Sequence, residues 1–415
     1  MTRGPRPFEA AVTGLGLVTA AGVGVKATWH AVTGTARPGR VDRHPELADL
    51  PCDFMYTVKG LDAEAVLNAT QLRLTDRFAR LAVVAAREAV ADAGLDPAVW
   101  DGSRVAVVIG CVHGGLPFYD EQHTTMLTRG ARRVSPKLAP VTMVSAPAGS
   151  VCADLGARGP SLAVSTACAS GTVAVGTAHQ MLRANACDIA IAGGAESVLS
   201  RLMIASACRL KAVSTRRDDP LTACRPFDAG RDGFVVGEGA GVLVLERPEH
   251  ARGRGAAVRA LVRGYGASND AYAAVAPHPD GAGVEQALRT ALADADVAPD
   301  EVGHVNAHGT GTELNDLVEA GALNRTLGDR PAVTSTKAMT GHTLGAAGAI
   351  ETAFTVLALE QQLVPPTANL TLPDPRLPPG LDIVRDAARP TAMTCAVKTS
   401  MGFGGHNAAL VLTRA

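Results

Sequence analysis

The chain has 415 residues, 39 Lys and Arg against 40 Asp and Glu, and a formal net charge of -1. That balance, with no charged tail, gives no electrostatic reason to expect nucleic acid or an anionic membrane as a partner. The length suits two or three ordinary domains or one large fused α/β body, and with 47% hydrophobic but only 3% aromatic residues the core must be built from Ala, Val, Leu and Gly.

The N-terminal stretch "MTRGPRPFEAAVTGLGLVTAAGVGV" superficially resembles a signal peptide. Its apolar run is broken by Gly14, Gly16, Gly22 and Gly24 and follows Glu9, so it reads as a first strand over residues 10–13 entering a glycine-rich turn. Residues 74–93 carry a helical pattern that Gly94 stops. Buried strands follow at "RVAVVIG" (104–110), "SLAVST" (161–166), "DIAIAGGAES" (188–197) and "GVLVLER" (241–247). Residues 201–230 show little strand pattern and read as surface loops and short helices. The strand grammar returns at "HVNAHG" (304–309), "PAVTST" (331–336) and "AALVLTR" (408–414). Continuous apolar strands alternating with helices predict an α/β fold whose sheets are covered on both faces. No apolar run reaches the roughly 18 residues of a membrane span, so a soluble cytoplasmic protein without membrane contact is expected.

Two echoes run through the chain. "AVSTACASG" (163–171) resembles "AVTSTKAMTG" (332–341), and "GEGAGVLVLER" (237–247) resembles "GGHNAALVLTR" (404–414). They occur in the same order, which favours two copies of one α/β unit over chance similarity of Ala/Val-rich strands. The polar, Gly/Pro-containing joint lies near residues 246–258, dividing the chain into halves 1–252 and 253–415.

The eight cysteines are scattered and form no C-x-x-C pair, which argues against a disulfide scaffold or a zinc site. Cys168 stands apart. It follows a strand and precedes "ASGTVAVGTAHQMLRAN" (169–185), a helix small or apolar on every face. At a helix N-terminus a thiol is shifted toward the thiolate, and free backbone N–H groups can bind an oxyanion. An isolated buried structural thiol would look much the same. His308 ends a strand among glycines in "VNAHGTGTELND", a suitable place for a functional imidazole or for a helix cap. Lys337, one of six lysines, lies in an apolar neighbourhood five residues before His342. His342 precedes the small-residue helix "GHTLGAAGAIE", whose positive end disfavours imidazolium. "GFGG" (402–405) permits close backbone approach around Phe403, as would any hairpin turn. In a sheet-based fold such strand ends converge at one edge. No G-x-G-x-x-G with its required context supports a dinucleotide site, and a metal site from His308 and His342 lacks a third ligand with familiar spacing.

Taken in order, "TACASG", "NAHGTGT", "STKAMTGHTLGAAG" and "GFGGHN" resemble the β-ketoacyl-[acyl carrier protein] synthases, specifically the elongating ketosynthases of type II fatty acid and polyketide systems. The resemblance spans nearly the whole chain. It implies the thiolase fold, a duplicated α/β unit in five α-β-α-β-α layers, working as a dimer with sheets joined across the interface. It implies Cys168 as acyl-accepting nucleophile, His308 and His342 as the pair supporting decarboxylation and condensation, Lys337 as their orienting cation, and Glu319 as the carboxylate tying the network together. Phe403 would be the gate, its N–H forming an oxyanion hole with that of Cys168. Thr310 and Thr312 would contact the phosphopantetheine arm of an acyl carrier protein. No metal or redox cofactor is implied.

Chain-length-factor partners of such enzymes lack the cysteine, so Cys168 implies the catalytic subunit. A thiolase would place a second cysteine near the C-terminal glycine turn, where this chain has "GFGGHN". Modular synthases usually carry "TACSSS", and no acyltransferase or carrier domain fits into 415 residues. His113, in "GCVHGG", stands where relatives tend to have an apolar residue lining the acyl pocket; a solvated or interface residue is the plainer alternative. This departure, with the unusual segment "TMVSAPAGSVCADLGARGP", points to polyketide or polyene synthesis over housekeeping fatty acid elongation, as a homodimer or a heterodimer with a cysteine-less chain-length factor. Arg129, Arg132 and Arg133 are candidates for carrier docking by sequence proximity alone, and equally an ordinary solvated patch.

Overall fold

The computed structural model describes residues 7–34 and 41–415. Eleven strands form one hydrogen-bonded sheet, in which two-residue Gly22–Val23 folds back on the first strand. The other ten carry the architecture. The first five are β1 (Ala10–Thr19), β2 (Val105–Gly110), β3 (Ser161–Val164), β4 (Ile189–Glu196) and β5 (Gly239–Glu246). The last five are β6 (Ala260–Asn269), β7 (Val302–Asn306), β8 (Ala332–Thr334), β9 (Cys395–Gly402) and β10 (His406–Thr413). Their order across the sheet is β8-β7-β9-β10-β6-β1-β5-β4-β2-β3. Read outward from the middle, each set of five has one order and one pattern, two antiparallel pairings and then two parallel ones. The sets meet where Ala10–Val12 of β1 pair with Ala260–Val262 of β6.

Helices cover both sets. α1 (Arg77–Asp92) and α2 (Ala146–Leu155) pack outside the first, α4 (Ala282–Ala295) and α5 (Glu313–Leu327) outside the second. α3 (Ser170–Arg183) and α6 (Ala347–Gln361) lie between them and touch strands of both. The result is the thiolase-type five-layer fold.

Small residues make the layering possible. A Cβ on Gly14 or Gly16 of β1 would stand 2.0 or 1.9 Å from a carbonyl oxygen of α1. One on Gly264 or Gly266 of β6 would stand 2.2 or 2.1 Å from a carbonyl oxygen of α4. These glycines therefore belong to strands pressed against helices, and β1 runs to Thr19 instead of turning at residue 13 as the glycines suggested. The central helices cross just as closely: a Cβ on Gly171 would meet the Ala349 nitrogen at 2.7 Å, and one on Gly348 the Thr172 hydroxyl at 2.2 Å. That crossing holds the start of α3 against the segment leading into α6. Residues 201–230 hold a helix at Arg201–Arg209, but they are not merely surface, since Ala223, Cys224 and Phe227 are fully buried.

Candidate active site

Cys168 sits in a tight turn between β3 and α3, two residues before the helix begins. Ala167 takes a left-handed φ of 50°, a conformation a non-glycine residue holds only when its surroundings impose it. The Ala169 N–H donates to the Thr166 carbonyl at 3.1 Å, and the Thr166 N–H donates to Ser170 Oγ at 2.9 Å. The thiol is 9% exposed. The helix-terminus argument predicted a lowered thiol pKa; burial outweighs it and pushes the thiol up to about 12. The Lys337 charge and the N–H groups of Phe403 and Cys168 act in the opposite direction. The thiol is therefore protonated at neutral pH, and its attack on a carbon centre requires a proton acceptor.

His308 and His342 supply nitrogens beside it. One ligand atom from each of Cys168, His308 and His342 lies within 4.8 Å of the others. The two imidazoles meet edge to face with ring centroids 5.3 Å apart, and Phe234 stands edge to face with His342 at 5.0 Å. Burial holds both imidazoles well below the usual histidine range, reinforced by the Lys337 and Lys398 charges. Both rings are neutral. The cause differs from the expected helix dipole, because α6 opens only at Ala347, five residues beyond His342. Among the described residues neither Nδ1 has a hydrogen-bond partner.

His308 is held on three sides. Glu319, buried in α5, accepts the N–H of His308 and of Gly309, each at 2.7 Å. Thr399 Oγ1 donates to the same carboxylate at 2.6 Å. Lys337 Nζ donates to the His308 carbonyl at 2.5 Å and to Glu351 Oε1 at 2.5 Å. Breaking one partner out of such a buried pair typically costs about 3–5 kcal/mol.

A cavity of about 360 Å³ runs from Cys168, His308 and His342 outward past Phe234, Thr310, Thr312 and Met401. The Thr310 and Thr312 hydroxyls are 2.9 Å apart on its wall. Phe403, 39% exposed, stands in the lining while its N–H faces the Cys168 sulfur. His113 is not among the residues that line this cavity. The N–H groups of Val112 and His113 are drawn to the buried Glu196 carboxylate at 2.8 and 3.2 Å, and the half-buried His113 ring lies outside the lining. Arg129, Arg132 and Arg133 are exposed and also lie outside it; the basic residue in the lining is Lys211.

Glu351, Lys398, Thr399 and Glu196 escaped the sequence reading. The signals were present. Glu351 is the lone carboxylate in the apolar run "GAAGAIETAF", and Lys398 interrupts the strand "CAVKTSMG" in a chain with six lysines. Glu196 ends the apolar strand β4, and burial pushes its carboxyl up to about 7.

Residues 8–251 match the description "Beta-ketoacyl synthase, N-terminal domain", and residues 259–371 match "Beta-ketoacyl synthase, C-terminal domain". The chain belongs to the β-ketoacyl synthase family. It is an acyltransferase. It is 41% identical over 410 residues, 97% of either chain, to a 3-oxoacyl-[acyl-carrier-protein] synthase 2 of Staphylococcus aureus strain COL. Among solved structures it is similar to the ishigamide ketosynthase/chain length factor, with TM-score 0.92 and 31% identity over 99% of this chain and 100% of that one. It is also similar to a type II PKS acyl-carrier protein in complex with its ketosynthase bound to the hexaketide, with TM-score 0.87 and 32% identity over the same shares. No helix among the described residues is long and apolar enough to cross a membrane.

Proposed function

We propose that this β-ketoacyl synthase performs a decarboxylative Claisen condensation between an acyl chain on Cys168 and a malonyl group on an acyl carrier protein. The observation that carries this reading is the meeting of Cys168, His308 and His342 within 4.8 Å at the end of a cavity with a threonine-lined wall. In the first step Cys168 Sγ bonds to the thioester carbon of the acyl carrier. A neutral imidazole takes the thiol proton and passes it to the departing carrier thiolate. The N–H groups of Cys168 and Phe403 face the tetrahedral oxyanion. In the second step the malonyl carbonyl oxygen accepts hydrogen bonds from His308 and His342. The bond to the carboxylate breaks, CO2 leaves, and its electron pair forms the enolate. The enolate carbon attacks the acyl-Cys168 carbon, the C–S bond breaks, and the released thiolate regains a proton from solvent. The sum consumes one proton and yields CO2, the free carrier thiol and a β-ketoacyl carrier two carbons longer.

Thr310 and Thr312 would hold the carrier's phosphopantetheine arm, with Phe403 gating it, Lys337 and Glu319 positioning the histidines, and no metal or redox cofactor taking part. We read residues 1–252 and 253–415 as two copies of one unit, supported by their common strand order. The pathway we favour is type II polyketide or polyene synthesis, with a cysteine-less chain-length factor or a second copy as partner. The likeness to the ishigamide ketosynthase/chain length factor supports it. A second reading, fatty acid elongation, is favoured by the 41% identity to the staphylococcal synthase.

The test is intact mass spectrometry with acyl carriers of several chain lengths, then malonyl carrier. An adduct mapped to Cys168 that disappears as β-ketoacyl carrier forms is the expected result, and the preferred chain separates the two pathways. Loading only after addition of a cysteine-less partner identifies a heterodimer. A protein that never loads, alone or with that partner, refutes the reading.

A further inference from the structure

Lys398 has no part in the scheme above, yet it lies fully buried in the middle of β9, one strand from β7, which leads to His308. Its ammonium stands 2.8 Å from Glu351 Oε2, an ion pair whose angle is not that of a hydrogen bond, and it donates to the Thr399 carbonyl. Lys337 holds the other oxygen of the same carboxylate at 2.5 Å. Thr399 in turn donates its hydroxyl to Glu319, which receives the His308 and Gly309 N–H groups. Two lysines and two carboxylates thus form one buried, continuous cluster around the backbone of His308.

We propose that Lys398 is a positioning residue of the active site: it braces Glu351 opposite Lys337 and supplies the second positive charge that balances Glu319 and Glu351, so that both imidazoles stay neutral. The proposal rests on the condensation reading, in which the histidines donate hydrogen bonds to a thioester oxygen. The charge count makes the argument. With both lysines and both carboxylates ionised, the cluster is neutral. Without Lys398, Lys337 alone faces two carboxylates, and the net negative charge draws a proton onto the histidine pair. An imidazolium cannot take up the Cys168 proton. Every charged or titratable group packed around the pair enters this balance. The Lys337 and Lys398 charges act on the pair directly, Glu319 holds the His308 N–H with Asp316 in electrostatic range of it, Glu351 pairs with both lysines, and Cys168 lies beside the imidazoles with Glu196 acting on the thiol. A merely space-filling residue at 398 would not alter that balance.

The experiment compares the full-length enzyme with Lys398→Met, which keeps the length of the side chain without its charge, and Lys398→Gln, which keeps a donor for the Thr399 carbonyl. Malonyl-carrier decarboxylation and condensation are followed from pH 5 to 9, alongside folding by circular dichroism. The wild-type acid limb should lie below the ordinary histidine range. In both variants it should move upward by about one pH unit or more. At pH values on the acid side of the wild-type limb the rate should then be about tenfold below that of the wild type, while KM for the carriers changes little. If the methionine variant does not fold, the glutamine variant carries the comparison. An acid limb unmoved in every folded variant, or a wild-type limb at or above pH 6.5, overturns the proposal alone, provided the wild type condenses. A wild type that yields no β-ketoacyl product overturns the underlying reading and this proposal with it.

Discussion

The outer strands of the two halves, β3 and β8, occupy equivalent places and pair in parallel with their inner neighbours, but differ in exposure. Ser161, Leu162 and Ala163 of β3 are exposed, Leu162 at 43%, and the strand pairs on one side only. β8 is buried throughout, because residues 381–384 run along its outer edge: the Val333 N–H donates to the Asp382 carbonyl at 2.8 Å and the Val384 N–H to the Val333 carbonyl at 2.9 Å. The turn after β3 carries Cys168, and the matching turn after β8 carries Lys337. Duplication supplied one scaffold twice. One copy closed its edge and buried a cation, while the other left its edge open and exposed a nucleophile to a cavity. An open apolar edge strand invites another strand, which suits the dimer implied by the family resemblance.

The comparison breaks first at the nucleophile. Cys168→Ala should abolish the acyl-enzyme adduct and all condensation, read by intact mass and product analysis; an adduct on this variant would move the nucleophile elsewhere. His308→Ala and His342→Ala should each slow condensation about 10²–10³-fold, the effect of losing one donor to a developing oxyanion. A condensation rate unchanged in His308→Ala would remove that residue from the chemistry.

Gly402→Ala sharpens the contrast from the other side. A Cβ there would lie 2.7 Å from the Thr166 carbonyl oxygen and 3.1 Å from the Cys168 nitrogen. It should displace the nucleophile turn and slow acylation by up to about 10²-fold, measured by single-turnover loading. At the open edge, Leu162→Lys should weaken subunit association about tenfold or more, read by sedimentation, whereas the covered β8 offers no equivalent surface site.

The smallest effect is one of pH. With the thiol at about 12 and protonated below that, alkylation of Cys168 by iodoacetamide should still be rising at pH 9, by about tenfold per pH unit. A plateau near pH 7 would mean that the helix terminus, and not burial, governs the thiol.

Much of this was legible in the chain. Strand–turn–helix grammar located β2, β3, β4 and β7, and the echoes anticipated the repeated strand order. Motif order singled out Cys168, His308, His342, Lys337 and Glu319, which the fold brings together. Other features were misread for identifiable reasons. Gly14 and Gly16 looked like a turn because local propensity does not register a helix pressed against a strand. Their counterparts Gly264 and Gly266 were a third echo that went unread.

The sequence by itself determined the fold class, the family and which residue types carry the chemistry, because periodicity and short motifs are local properties. Tertiary structure alone decided the protonation states. Burial disfavours the charged forms of Cys168, His308 and His342, the Lys337 and Lys398 charges add to it at the histidines, and these groups come from segments between β7 and β9 that lie far apart in the chain. It also decided which sheet edge stays open, because the segment covering β8 comes from about fifty residues downstream and among the described residues β3 has no strand on its outer side.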